Sequence, residues 1–302
     1  MVVAVCAVSS AAILVRVANT GGAEAIAPGF WRTLIVGLML AAWIRPLSRR
    51  DLFLSMLSGV VLGAHFWAWF ESLQRTTVLH STLLVCLGPI WLGVAELAFL
   101  KKPPARRFWL GIGIAIAGAI LMSTQGSSTS EGIQPTLAGN LLALTGGLLA
   151  SAYFFIGRDV RQRVGIASYS AIISLSAAAF LFPAALLSSQ ELTGFSRSGW
   201  LAILGLALGP QLLGHNGFNY CLRFVRASIV SAIVFLEPFG AAVLAALFLQ
   251  EIPGLQEAVG GLVVLGGVLV ATWKAEDLSA SADPDLHPSA NSTPPNQGPD
   301  QA

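Results

Sequence analysis

Residues 78–102 read VLHSTLLVCLGPIWLGVAELAFLKK, and residues 227–251, 149 positions later, read ASIVSAIVFLEPFGAAVLAALFLQE. Either stretch is long enough to cross a bilayer, whose hydrocarbon core of roughly 30 Å takes about 20 apolar residues as a helix. Without a gap, Pro89 meets Pro238 and Phe99-Leu100 meets Phe248-Leu249. The register continues outward: Leu73 meets Leu222, Pro104 meets Pro253, Gly111 meets Gly260 and Gly118 meets Gly267. At the end of the stretch the charge inverts, Lys101-Lys102 standing against Gln250-Glu251. A basic loop in one copy has become an acidic one in the other, as expected if the copies face opposite sides of a membrane.

Ten apolar stretches follow one another along the chain: 2–17, 25–44, 52–70, 79–100, 108–122, 137–156, 167–187, 201–220, 227–249 and 255–273, here spans 1 to 10. In lipid a chain satisfies its backbone polar groups within each span, so these are predicted as helices. Spans 3–5 match spans 8–10 residue by residue, whereas spans 1–2 match spans 6–7 only in pattern. Five helices per copy is an odd number, so the second copy enters the membrane inverted. The expected fold is an all-α integral membrane protein of ten transmembrane helices in two inverted five-helix repeats. The first repeat is assigned to 1–124, an extracytoplasmic linker to 125–136 and the second repeat to 137–273.

Composition agrees with a membrane protein. Charged residues make up 11 % of the chain and hydrophobic ones 55 %, with a mean hydropathy of +0.74. Soluble domains carry about 25 % charged residues, too many to be matched here. The loops after spans 2, 4, 6 and 8, with Lys274, hold 13 of the basic residues, and the opposite loops hold only Arg75 and Arg197. Basic loops stay in the cytoplasm, so both termini are expected there and the protein is expected in the cell (inner or plasma) membrane. Trp31, Trp43, Trp109, Trp200 and Trp273 fall near span ends, at interfacial depth. The first span lacks a basic leader and a small-residue cleavage site, so it is expected to be retained rather than removed as a signal peptide. Residues 274–302, rich in Pro, Ser, Asp and Asn, read as a disordered tail.

Ionisable groups inside spans are costly and mark substrate or ion pathways. Arg32 in span 2 suits a bidentate pair with a carboxylate or phosphate; its bland alternative is a snorkelling side chain. Glu237, at the centre of span 9, suits a substrate cation, a proton, or pairing with Arg32. Glu96 lies nearer a span end and reads as structural. Pro89 and Pro238 each remove a backbone donor at the middle of a span, and such helix breaks at the midplane line transporter cavities. His65 and His215 stand one residue off register, a near-symmetric pair able to relay protons. Trp67 and Asn216 flank them and complete the expected substrate-binding set: Arg32, His65, Trp67, His215, Asn216 and Glu237. Cys6, Cys86 and Cys221 read as small hydrophobes. The four histidines are scattered, so neither a metal site nor a cofactor is expected.

Several of these stretches resemble the drug/metabolite transporter superfamily in its EamA-type branch, over nearly all of residues 1–273. The most specific runs are Leu236-Glu237-Pro238 through Leu249-Gln250-Glu251, and Phe30-Trp31-Arg32 in span 2. Ala64-His65-Phe66-Trp67 and Leu213-Gly214-His215-Asn216 resemble a histidine-bearing subset. Lys101-Lys102 departs from the pattern, where a terminal glutamate is common. The resemblance implies a carrier of small organic solutes, frequently an exporter, with the lipid bilayer as its surroundings and no nucleic-acid partner. Amino acids or related organic ions, moved by alternating access, are the leading expectation, and proton coupling is left open. A permissive multidrug exporter is the alternative. An integral-membrane enzyme on a lipid-linked substrate is the remote one, since no H-E-x-x-H or G-x-S-x-G motif appears.

Overall fold

Among the described residues of the computed structural model, four helical segments are long and apolar enough to cross a membrane: Val2–Thr20, Arg49–Leu73, Leu137–Arg161 and Ile166–Leu187. The structure describes residues 1–24, 26–88, 90–92, 94, 106–123, 135–224, 230, 233–234 and 236–273. Pro89, Glu96 and Lys101-Lys102 lie outside them, as do most of the linker and the tail beyond Trp273. Met1–Thr272 forms one unit, and among the described residues its regular structure is helical throughout.

Local sequence sets the helix starts. Ser48, Thr77, Thr136 and Ser196 cap the helices Arg49–Leu73, Val78–Val85, Leu137–Arg161 and Arg197–Leu206, each oxygen accepting the backbone N–H three residues on. Such a cap satisfies one of the donors a helix leaves open at its first turn. Span 1 is two helices, Val2–Ser9 and Ala11–Thr20. They join at Ser10, whose hydroxyl donates to the Ala7 carbonyl at 2.7 Å, a back-bond that bends helices.

Glycine contacts give the directions of the helices. A Cβ on Gly111 of span 5 (helix Arg106–Ser123) would meet Gly267 and Ala271 of span 10 (helix Leu255–Thr272). One on Gly118 would meet Gly260 and Val264. Numbers rise along one helix as they fall along the other, so the two run antiparallel. At the shift of 149, Gly111 corresponds to Gly260 and Gly118 to Gly267. The contact Gly111–Gly267 therefore maps onto Gly260–Gly118, and both are present. A two-fold exchange of the copies requires this.

The remaining packing obeys the same exchange. Span 1 packs on span 8 and span 3 on span 6; span 4 packs on span 6 and span 9 on span 1; spans 2 and 7 pack on each other, as do spans 4 and 9. Gly59 and Gly63, four apart on one face of span 3, lie against Ile173 and Ala177 of span 7. Spans 3 and 7 thus approach closely there. Of the glycines Gly205 and Gly209 in span 8, Gly205 approaches Leu14, while Gly209 has nothing within 4 Å.

Polarity is arranged inside out. Ser55, Ser58, Ser72, Ser81, Thr82, Ser174, Gln211 and Asn219 are buried, and Phe53, Trp109, Leu110, Leu141, Leu201, Leu247, Phe248 and Leu262 face outward. Many of the hydroxyls bond backbone carbonyls or each other, such as Ser72 to Ser81 at 2.6 Å and Ser58 to Tyr169 at 2.8 Å. An apolar exterior of this extent fits lipid rather than water.

Candidate functional site

A cavity lies between the copies. Spans 1, 3 and 4 line it from the first copy and spans 6, 8 and 9 from the second. Three pairs of lining residues are equivalent at the shift of 149: Trp69 with Phe218, Val85 with Val234, and Gly88 with Glu237. The cavity thus sits where the two-fold relation passes through the bundle. Its chemistry is not symmetric. Where the second copy offers the carboxylate of Glu237, the first offers a glycine.

Span 9 breaks at this level. Its helix Glu237–Phe248 begins with Pro238 in the first turn, where the missing N–H costs no internal hydrogen bond. Pro89, its counterpart, lies outside the described residues. The carbonyls just before the two prolines are held alike. Ser9 of span 1 donates its hydroxyl to Glu237 O at 3.4 Å, and Ser151 of span 6 donates to Gly88 O at 3.1 Å. Each serine also bonds its own i−4 carbonyl, Val5 and Gly147 respectively. The first helix of each copy therefore braces the fourth helix of the other at the cavity wall.

Two histidines meet here. The rings of His65 and His215 lie 6.2 Å apart, with Trp69 stacked on His65 at 5.9 Å and Phe66 edge-on to His215 at 5.2 Å. His65 Nδ1 is 2.9 Å from the Gly146 carbonyl. A carbonyl only accepts, so Nδ1 carries the hydrogen and Nε2 is left as the acceptor. His215 Nδ1 and the Trp69 indole N–H are buried with no hydrogen-bond partner among the described residues.

Behind Phe66 lies Arg32, fully buried, its guanidinium 4.3 Å over the ring. Its Nε–H donates to Gln211 Oε1 at 3.1 Å, and both terminal nitrogens have no hydrogen-bond partner among the described residues. This is not a snorkelling side chain. Gln211 stands in a π-helical segment, Ala207–His215, that interrupts span 8. Pro210 within it has no N–H to give, and the wider turn carries both Gln211 and His215. Such segments recur at functional sites.

Of the expected site residues, His65, His215 and Glu237 line the cavity, and Arg32 stands behind its wall. Trp67 does not join them. It is 39 % exposed and points outward, whereas Trp69 is 3 % exposed and lines the cavity. In a helix of 3.6 residues per turn, two positions turn a side chain through more than half a circle; residue 69 shares the face of residue 65. Asn216 is buried with neither side-chain polar atom bonded among the described residues, but it does not line the cavity.

Residues 1–124 and 137–273 match the model of the EamA-like transporter family. The chain belongs to that family. Among its relatives is an uncharacterized transporter of Archaeoglobus fulgidus, 26 % identical, the match covering 81 % of this chain and 86 % of the relative. The uncharacterized transporter YwfM of Bacillus subtilis is 27 % identical over 83 % of this chain and 88 % of its own. A solved crystal structure, 17 % identical, superposes with a TM-score of 0.65 over 91 % of this chain and 96 % of that one, a likeness of fold. This EamA-like protein is therefore a multi-pass membrane transporter.

Three further buried polar residues of this EamA-like transporter, Gln211, Tyr153 and Asn219, pack around the site. The structure gives them particular work. Tyr153 is fully buried near His215 and donates to Asn219 Oδ1 at 2.5 Å. Asn219 O in turn accepts from Arg161 Nε at 3.0 Å. The polar groups of spans 6 and 8 thus form a chain from the cavity to the end of span 6. Serines 9 and 151 could have been paired from sequence only by aligning the first helices at 142 rather than 149, the difference between their numbers.

Proposed function

We propose that this EamA-like transporter is a secondary carrier of small organic metabolites, such as amino acids or related organic ions, working as an exporter by alternating access. Residues 1–124 and 137–273 are the two rocking units, joined by the linker 125–136, with both termini in the cytoplasm and residues 274–302 as a cytoplasmic tail. The observation that carries this reading is the cavity between the copies, which places Glu237 and two histidines among apolar walls. A small solute meets a carboxylate suited to a substrate amine, with the unbonded terminal nitrogens of Arg32 close behind for a substrate carboxylate. Aromatic and branched walls from Trp69, Phe154, Phe218 and Val85 accommodate its apolar part.

The coupling follows from the same groups. Glu237 and the free Nε2 of His65 are the proton carriers, so solute and proton compete for one cavity. The test is counterflow in liposomes: purified protein loaded with a panel of amino acids, amines and organic acids, with and without an imposed pH gradient. Uptake of labelled solute, abolished by Glu237→Gln, is expected. A panel in which no member moves under any gradient overturns the reading.

A further inference from the structure

At the end of the bundle opposite the basic loops, carboxylates of the second copy grip the first. The helix Glu237–Phe248 ends in a turn in which Gln250 takes a left-handed backbone (φ 55°) and the Glu251 N–H donates to Ala245 O at 3.3 Å. This turn, of the kind that ends helices by reversing the chain, sends the Glu251 side chain inward. Its Oε2 accepts the Val78 N–H at 2.9 Å, and its Oε1 lies 3.3 Å from Arg16 Nη2. The same nitrogen donates to the Thr76 carbonyl at 3.0 Å. Nearby, Glu257 at the start of span 10 places Oε1 3.1 Å from His80 Nδ1, with Oε2 accepting the Gly254 N–H at 3.0 Å. All four ionisable side chains are at least nine-tenths buried.

The sequence does not repeat these acids at the opposite end. At the shift of 149, Glu251 corresponds to Lys102, Glu257 to Phe108, and His80 to Ile229. The two ends of an inverted repeat should close alike, and here Glu251, Glu257 and His80 have no counterpart of like chemistry in the other copy.

We propose that Arg16–Glu251 and His80–Glu257 form a one-sided latch that holds the cavity shut toward the face of the loops after spans 3 and 9. Opening to that face requires the buried Arg16–Glu251 ion pair and the buried His80–Glu257 contact to part, whereas the pairs between copies described at the other face, Arg163–Asp51 and Arg50–Asp159, are partly exposed and screened by water. The resting population is therefore biased away from the latched face, and substrate or its counter-ion must supply the difference. Breaking one member of a buried pair leaves its partner uncompensated, so a near-isosteric neutral substitution shifts the balance toward release. The inference rests on alternating access around the central cavity.

Cys86 lines that cavity and serves as the reporter. In a Cys6→Ala/Cys221→Ala background, sealed right-side-out vesicles are treated with a membrane-impermeant charged maleimide, and inside-out vesicles likewise. Labelling of Cys86 from the latched face is expected to be slow in the parent. It should rise by about tenfold in Glu251→Gln/Glu257→Gln, while labelling from the other face falls or stays the same. His80→Gln/Glu257→Gln, which leaves the Arg16 pair intact, is the second variant and should give a smaller rise. Each is measured on protein that remains monodisperse after extraction. An unchanged rate from the latched face in both variants, with Cys86 still reactive from the other, overturns the latch and leaves alternating access standing. Cys86 unreactive from both faces in every variant overturns both.

Discussion

Arg32 of span 2 donates its Nε–H to Gln211 Oε1 of span 8, 3.1 Å away and in the other copy, while both its terminal nitrogens have no hydrogen-bond partner among the described residues. A buried guanidinium half satisfied in this way is fixed in orientation at one edge and open at the other. The open edge is the one that recognises a carboxylate in a bidentate pair. Lysine has no Nε–H fork to divide between a positioning partner and a ligand. Arg32→Lys should therefore lower counterflow of a carboxylate-bearing solute by about tenfold or more, a loss of ~1.4 kcal/mol, with the protein still folded by size-exclusion profile. Gln211→Leu should weaken apparent affinity by a smaller factor, because the ligand-binding edge remains. Equal transport in Arg32→Lys and the parent would remove Arg32 from the site.

The contact between spans 5 and 10 predicts a contrast between neighbouring glycines. A Cβ on Gly111 would lie 2.4 Å from the Ala271 nitrogen and the Gly267 carbonyl oxygen, both backbone atoms. Backbone cannot rotate aside, so the two helices must separate. Gly111→Ala should destabilise the protein by roughly 1–3 kcal/mol, the range for overpacked interiors. Gly113 is two positions on and has nothing within 4 Å, so Gly113→Ala should be neutral or slightly stabilising, alanine being the better helix former. Thermal unfolding in detergent separates the two. Equal midpoints would mean that the helices do not meet at Gly111.

Much of this architecture was legible because it rests on patterns of residue type. Hydropathy marked the apolar helices, and the recurrence of Gly111 and Gly118 as Gly260 and Gly267 marked the repeat, but not the contact these glycines make between spans 5 and 10. His65, His215 and Glu237 were legible for a different reason: a titratable group inside an apolar helix is too costly to be incidental. The π-helical turn at Ala207–His215 was not legible, since Pro210 alone predicts a kink and gives no account of which side chains the wider turn redirects. Trp67 and Trp69 could not be ranked from proximity to His65 in sequence. Their faces follow from helical phase, which places residue 69 with residue 65 and residue 67 opposite.

That phase difference is measurable. Trp69 is buried, stacks on His65 and turns an unbonded indole N–H among the cavity groups. Trp69→Phe keeps the ring and removes the donor, so it should raise the concentration for half-maximal transport severalfold, with little change in stability. Trp67→Phe faces the exterior and should leave transport within about twofold of the parent. Tryptophan emission provides a second readout, since solute binding should perturb the fluorescence of a Trp67→Phe protein but much less that of a Trp69→Phe protein. The reverse pattern would place the solute outside this cavity.

Proton coupling makes the sharpest demand on the histidine pair. His65 spends Nδ1–H on the Gly146 carbonyl, which leaves Nε2 as the atom able to take a proton, with the ring of His215 6.2 Å away. Two imidazoles this close repel one another when both are charged, so the pair holds one extra proton more readily than two. Glu237 lines the same cavity, where an ionised carboxylate would compensate that charge. His65→Ala removes the Nε2 acceptor and the brace on span 6 together, whereas His65→Gln keeps a donor for Gly146 and removes titration. Transport by His65→Gln should lose its response to an imposed pH gradient while retaining solute counterflow, which needs no net proton movement. In His65→Ala, Glu237→Gln the gradient response should be absent altogether. A double variant that still accumulates solute against its gradient when the pH difference is imposed would show that protons travel elsewhere, and would return both residues to a binding role alone.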